Sequence, residues 1–161
     1  SLLLLEALGA EVGREGVRGR RVLDLGAGYG ALALPLARLG GEVVGVEDDL
    51  AAVLSFRRSL EANGLEARVL HSDVDEALTE GEGFDIIVTN PPFHVGGAVI
   101  LDVAQAFVEA AAARLKPGGG FFLVANPFLK YEVLLEERFG NAKTLLAREY
   151  KVLFAKKEGG A

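Results

Sequence analysis

Short apolar runs without period-two alternation recur along the chain: Arg21-Val22-Leu23-Asp24-Leu25, Glu42 to Glu47 (EVVGVE), Phe84 to Thr89 (FDIIVT) and Gly120 to Ala125 (GFFLVA). A strand reads this way when both of its faces are buried, which confines it to a parallel sheet covered by helices. Helix-period segments lie among them. Residues 2–12 carry Leu2, Leu5, Leu8 and Val12 at helical spacing; residues 30–39 close on Gly40-Gly41, and residues 49–63 on Asn63-Gly64. A longer helix over 99–115 is stopped by Lys116-Pro117-Gly118, and a short one covers 130–138. Residues 66–71 (EARVLH) supply one more strand, and 142–155 read as two (KTLLA, YKVLFA) with weak punctuation at Arg148-Glu149. The sum is a doubly wound α/β sheet with right-handed crossovers and helices on both faces. No helix separates the final two strands, so at least one of them runs antiparallel.

With 161 residues the chain is the size of one domain. No run reaches the roughly 18 apolar residues of a membrane span, and Leu2-Leu3-Leu4-Leu5 lacks the flanks of a signal peptide. The expectation is a soluble, cytoplasmic monomer that does not engage membranes. Cysteine is absent, which excludes disulfides, thiolate metal sites and cysteine nucleophiles; with only His71 and His94, no metal site is expected. Methionine is absent even at position 1, so the chain is expected to be cut from a longer protein. Scarce thermolabile residues, with Gln105 the sole glutamine, fit a thermophile or a GC-rich genome. A net charge of −6 sits awkwardly with nucleic-acid binding, which needs a basic footprint from one face or from another part of the protein.

The first strand runs into Asp24-Leu25-Gly26-Ala27-Gly28-Tyr29-Gly30. Glycines there allow a tight turn and a close approach to a ligand. A dinucleotide site would read G-x-G-x-x-G, whereas this loop reads G-x-G-x-G with an acid two residues before it. S-adenosylmethionine has no pyrophosphate but has an amino-acid head, whose ammonium suits Asp24 while the amides of Gly26, Ala27, Gly28 and Gly30 face its carboxylate and ribose. Glu47, with Asp48 beside it, ends the second strand where an acid can accept from both ribose hydroxyls. Asp73 follows the third strand, placed for the adenine amino group with Val74 against the ring. Each acid has a plainer reading: Glu47, Asp48 and Asp49 as caps of the next helix, Asp73 as an N-cap.

The fourth strand runs directly into Asn90-Pro91-Pro92-Phe93. Consecutive prolines fix φ and donate nothing, so the carbonyls around Pro91 are held rigidly, and the Asn90 side chain is a second fixed acceptor, also within reach of the cofactor. Two acceptors can grip both hydrogens of an aromatic amine and localise its lone pair. Attack on a sulfonium methyl is then driven by positioning, and no strong base is needed. Phe93 and Pro92 are placed against the target ring, as for a base extruded from its helix. The plainer reading is a rigid turn with a core phenylalanine. His94 could bond substrate or face solvent; His71 reads as structural.

With those residues in view, the chain resembles the class I methyltransferases over essentially its whole length. Asn90-Pro91-Pro92-Phe93-His94 with Gly96, Val124-Ala125-Asn126 with Phe128-Leu129 and Tyr131, and Tyr150-Lys151-Val152 resemble the ribosomal RNA guanine-N2 methyltransferases of the RsmC and RlmG type. The resemblance implies a Rossmann-like, mostly parallel seven-stranded sheet with an antiparallel strand near the C-terminus. It also implies methylation of guanine N2 in small-subunit (16S) ribosomal RNA, S-adenosylmethionine as cofactor and S-adenosylhomocysteine as product. Two methyltransferase-like halves are implied, of which this is the active C-terminal one. Asn126 and Phe128 are then candidates for the base pocket, against a helix cap and core packing. Two alternatives remain: a protein-glutamine N5 methyltransferase, whose motif ends in tyrosine where Phe93 stands, and a catalytically silent RNA-binding domain, for which the intact motifs are unexpected. An NAD-dependent oxidoreductase is disfavoured by the G-x-G-x-G spacing.

Overall fold

The computed structural model describes residues 2–13, 16–91 and 97–159. In chain order the elements are α1 (Leu2–Val12), β1 (Arg21–Leu25), α2 (Ala33–Arg38), β2 (Glu42–Glu47), α3 (Leu50–Asn63), β3 (Arg68–His71), β4 (Phe84–Thr89), α4 (Gly97–Arg114), β5 (Leu115–Ala125), α5 (Tyr131–Phe139), β6 (Lys143–Ala147) and β7 (Lys151–Lys156). They build a seven-stranded sheet of order β3-β2-β1-β4-β5-β7-β6. The first five strands pair in parallel; β7 alone is antiparallel to its neighbours β5 and β6. The expected mixed sheet is therefore present, with the antiparallel strand inserted between two others instead of lying at the edge.

Side-chain alternation along the strands divides the core in two. Leu23, Leu25, Ile87, Phe121, Leu123 and Leu153 point to one face and pack with Phe107 and Ala111 of α4 and Leu135 of α5. Val22, Ile86, Val88, Phe122, Val124 and Val152 point to the other, against Leu4 and Leu8 of α1, Leu36 of α2, and Val53 and Phe56 of α3. Both faces are covered, which is why the central strands carry no polar alternation.

Two boundaries differ by three residues or more from those the sequence predicts. The helix expected over 30–39 begins only at Ala33. Gly30 has φ +100°, outside the helical range, and a Cβ there would lie 2.9 Å from Phe56 Cδ1. The strand expected from Gly120 begins at Leu115, which pairs with Phe84. Residues 116–119 bulge from that register, and the Gly118 N–H donates to the Lys157 carbonyl (2.7 Å) while Lys157 returns a bond to Gly119 (2.9 Å). A stretch that looks like a plain turn is thus held by a partner about 40 residues away in sequence.

Candidate active site

β1 and β4 lie side by side at the centre, and the chain leaves them in opposite directions, β2 lying beyond one and β5 beyond the other. Loops that diverge from the carboxyl ends of such a pair leave a crevice, the usual ligand site of open α/β sheets. A cleft of about 690 Å³ opens there. It is lined by Gly26 after β1, Val46, Glu47, Asp48 and Asp49 at the end of β2, Ser72, Asp73 and Val74 after β3, Asn90 after β4, and Asp102, Val103, Ala106 and Phe107 of α4.

The loop after β1 is closed on itself. Gly26 takes φ +68°, and a Cβ there would stand 3.0 Å from Phe107 Cε2, so the turn requires glycine for backbone and space alike. The Ala27 N–H donates to the Val46 carbonyl at 2.9 Å, and the Gly30 N–H to the Ala27 carbonyl at 3.0 Å. Glu47 ties this loop to the next one: Gly28 N–H donates to its Oε1 at 2.8 Å and Asp49 N–H to its Oε2 at 2.9 Å. A carboxylate has about four acceptor directions, so Glu47 keeps accepting capacity toward the cleft it lines. Burial pushes its carboxyl above the ordinary value, against the pull of those two backbone donors.

Beneath the loop lies Asp24, which is 1% exposed, with its Oδ2 lacking a hydrogen-bond partner among the described residues. Burial, and next the charge of Glu47, push this carboxyl up to about 8. Among the described residues nothing donates to that oxygen, and an ammonium group is a donor that fits it.

On the far side of β2, the Ser72 hydroxyl donates to the Val74 carbonyl (3.0 Å) and accepts from the Ala77 N–H (2.9 Å). This turn forces Val74 to φ +50°, the one positive value at a non-glycine among the described residues. A β-branched residue there is strained, and such strain is held where the surroundings over-determine it. Asp73 is exposed on the cleft wall, and no helix follows it, so the plainer N-cap reading finds no helix to cap. Asp49 does cap α3, its Oδ1 accepting from Ala51 N–H at 3.0 Å. His71 has its Nε2 2.9 Å from the Asp48 carbonyl, a bridge between the β2 and β3 loops.

The end of β4 is pinned to β1 by Thr89, wholly buried, whose Oγ1 donates to the Leu25 carbonyl at 2.7 Å. From that anchor Asn90 emerges exposed on the cleft while Pro91 is buried. Pro92, Phe93 and His94 lie outside the described residues. Asn126 and Phe128 do not line the cleft; they belong to the turn after β5, the strand beside β4. There the Asn126 Oδ1 accepts the Phe128 N–H at 2.9 Å, and Phe128 is 90% exposed, so the core-packing alternative for it falls.

Thr89, Ser72 and the α4 wall of Asp102, Val103, Ala106 and Phe107 are not among the residues that the sequence motifs point to. The α4 residues carried a usable signal: a helix that starts just after the fourth strand must begin at the same sheet edge. Thr89 carried none, because its partner becomes a neighbour only through the sheet. The cleft thus gathers Gly26, Glu47, Asp48, Asp73, Val74 and Asn90, with Asp24, Ala27, Gly28 and Gly30 behind it.

A sheet of this order, with an acid-lined crevice at its switch point, is that of the class I methyltransferases. The chain belongs to the methyltransferase small domain family, whose model matches residues 1–154. It is 41% identical over 156 residues to ribosomal RNA small subunit methyltransferase C of Chromohalobacter salexigens, covering 96% of this chain and 45% of that one. The protein of the same name from Stutzerimonas stutzeri is 39% identical over 152 residues, covering 92% and 43%. Among solved structures, the T. thermophilus 16S rRNA N2 methyltransferase (RsmC) in complex with AdoMet and guanosine superposes with a TM-score of 0.93 at 77% identity, over 98% of this chain and 42% of that one. The chain thus spans less than half the length of these relatives.

Proposed function

We propose that this domain transfers a methyl group from S-adenosylmethionine to the exocyclic N2 amino group of a guanine in small-subunit ribosomal RNA. The observation that carries the reading is the convergence of Asn90 with Glu47 and Asp73 on one cleft at the switch point. The donor set fits the cofactor: Asp24, buried with a partnerless oxygen, matches the ammonium, and Glu47 the ribose hydroxyls. Asp73 matches the adenine amino group, and Val74 the ring face. When bound, S-adenosylmethionine supplies an electrophilic methyl on a sulfonium. Asn90, fixed through Thr89, accepts from the acceptor amine and orients its lone pair; the carbonyl fixed at Pro91 is the second acceptor. Phe93 and His94 with Pro92 belong to the base side, and Asn126 shapes the turn that presents Phe128 as a further aromatic for the ring.

The guanine is supported by the likeness to a 16S rRNA methyltransferase solved with guanosine, and the small subunit by the names of the relatives. The acidic balance and the shared length both support a longer chain whose other half carries RNA affinity. No helix among the described residues is long and apolar enough to cross a membrane; a ribosomal RNA substrate supports a cytoplasmic location.

The test is methyl transfer by the full-length protein from labelled S-adenosylmethionine to undermethylated small ribosomal subunits, with release-factor protein as the competing acceptor. Label on one guanine N2 is expected; label on glutamine overturns the proposal. Asn90→Ala should abolish transfer while leaving cofactor affinity within about tenfold, because Asn90 acts chiefly on the acceptor.

A further inference from the structure

The closing Tyr150-Lys151-Val152 run has no part in the chemistry described so far, yet Lys151 is 5% exposed. Burying an ammonium is expensive, and a well-packed apolar side chain in its place is often neutral or stabilising. A charge kept there needs a reason beyond stability.

Its surroundings supply one. Lys151 opens β7 and pairs with Ala125, the last residue of β5. Its side chain lies on the same face of the sheet as Leu153, where α5 packs, and its Nζ donates to Glu132 Oε1 at 2.7 Å. Glu132 stands in the first turn of α5. The ion pair therefore joins the two ends of the segment between β5 and α5. Within that segment Asn126-Pro127-Phe128-Leu129 is a β-turn: Leu129 N–H donates to the Asn126 carbonyl at 3.1 Å, Pro127 presets the second position, and the Asn126 side chain caps Phe128 N–H. Such a turn is stiff inside and can swing only at its ends. The β5 end is fixed by the sheet. The α5 end is fixed in depth by the buried Tyr131 ring, and along the sheet by Lys151 with Glu132. Burial alone would raise the Glu132 carboxyl, but the Lys151 hydrogen bond leads the effects that bring it below its ordinary value.

We propose that Lys151 is a positioning residue for the acceptor: through Glu132 it sets the turn 126–129 and so holds exposed Phe128 just past the carboxyl end of β5, the strand paired with β4, which delivers Asn90. This rests on the guanine reading above, in which Phe128 meets the base. In the full-length protein, Lys151→Met should speed amide exchange across 126–133 by about tenfold or more, with exchange in β1 to β4 and S-adenosylmethionine affinity unchanged. KM for the RNA should rise about tenfold with kcat within about twofold, a split that a general loss of structure would not produce. Glu132→Gln, at a half-exposed site, should move both readouts in the same direction and serves if Lys151→Met does not fold. Unchanged exchange at 126–133 overturns the clamp. Faster exchange with unchanged KM overturns its link to the acceptor, and parallel loss of kcat, cofactor affinity and thermal stability makes the pair purely structural. Failure of the wild-type protein to methylate small subunits would instead fell the functional reading, while the exchange arm still decides the clamp.

Discussion

A carboxyl pushed up to about 8 in the middle of a parallel sheet makes Asp24 the residue where stability and ligand binding oppose each other. Its folded value lies above the unfolded one, so its contribution to stability is present below about pH 4 and lost as pH rises through about 8. Asp24→Asn should therefore stabilise the ligand-free protein, by a margin that widens between pH 5 and 8 in thermal melts. The same substitution should weaken S-adenosylmethionine binding, because it removes the charge that meets the ammonium in the proposed cofactor site. Near neutral pH the wild-type carboxyl must give up its proton to meet that cation, so binding should release up to about one proton. Calorimetry in buffers of differing ionisation enthalpy measures this, and identical heats across buffers would refute it. The acid itself was visible in the sequence from its place before the glycine loop. Its isolation was not, because what surrounds Asp24 comes from elements distant along the chain.

Among the elements, the buried strands were the most legible, since strands covered on both faces are apolar throughout and need no knowledge of their neighbours. Helix α2 and the start of β5 were misjudged because each is set by a contact across the fold: Gly30 against Phe56, and Gly118 against Lys157. The first of these carries a prediction. Gly30→Ala places a methyl 2.9 Å from the Phe56 ring at φ +100°, which should destabilise the domain by about 1–3 kcal/mol in denaturant titrations. Adding Phe56→Leu should recover the steric part and leave the backbone part, so the double variant melts closer to Phe56→Leu alone than additivity allows. Simple additivity would show that the close approach is not what demands glycine. The insertion of β7 between β5 and β6 was beyond local reading, because nothing in KTLLA or YKVLFA records which strand each will meet.

The whole molecule carries a net charge of −6, and its cleft concentrates that sign: Glu47, Asp48, Asp49, Asp73 and Asp102 line it, with no lysine, arginine or histidine among the described lining residues. Such a field favours a ligand with net positive charge over its neutral product. Raising salt from about 0.05 to 0.5 M should lower affinity for S-adenosylmethionine about two- to fivefold more than affinity for S-adenosylhomocysteine. Equal salt slopes in calorimetric titrations would remove the field from the account. The place of β7 has a consequence of another kind, in the order of synthesis. A ribosome delivers β1 to β4, and with them the acids and the Asn90 turn, well before the strand that slots between β5 and β6. Until then β5 presents an open edge and Glu132 lacks its Lys151 partner. A nascent chain of this fold would complete the proposed cofactor side first and the proposed acceptor side only with β7.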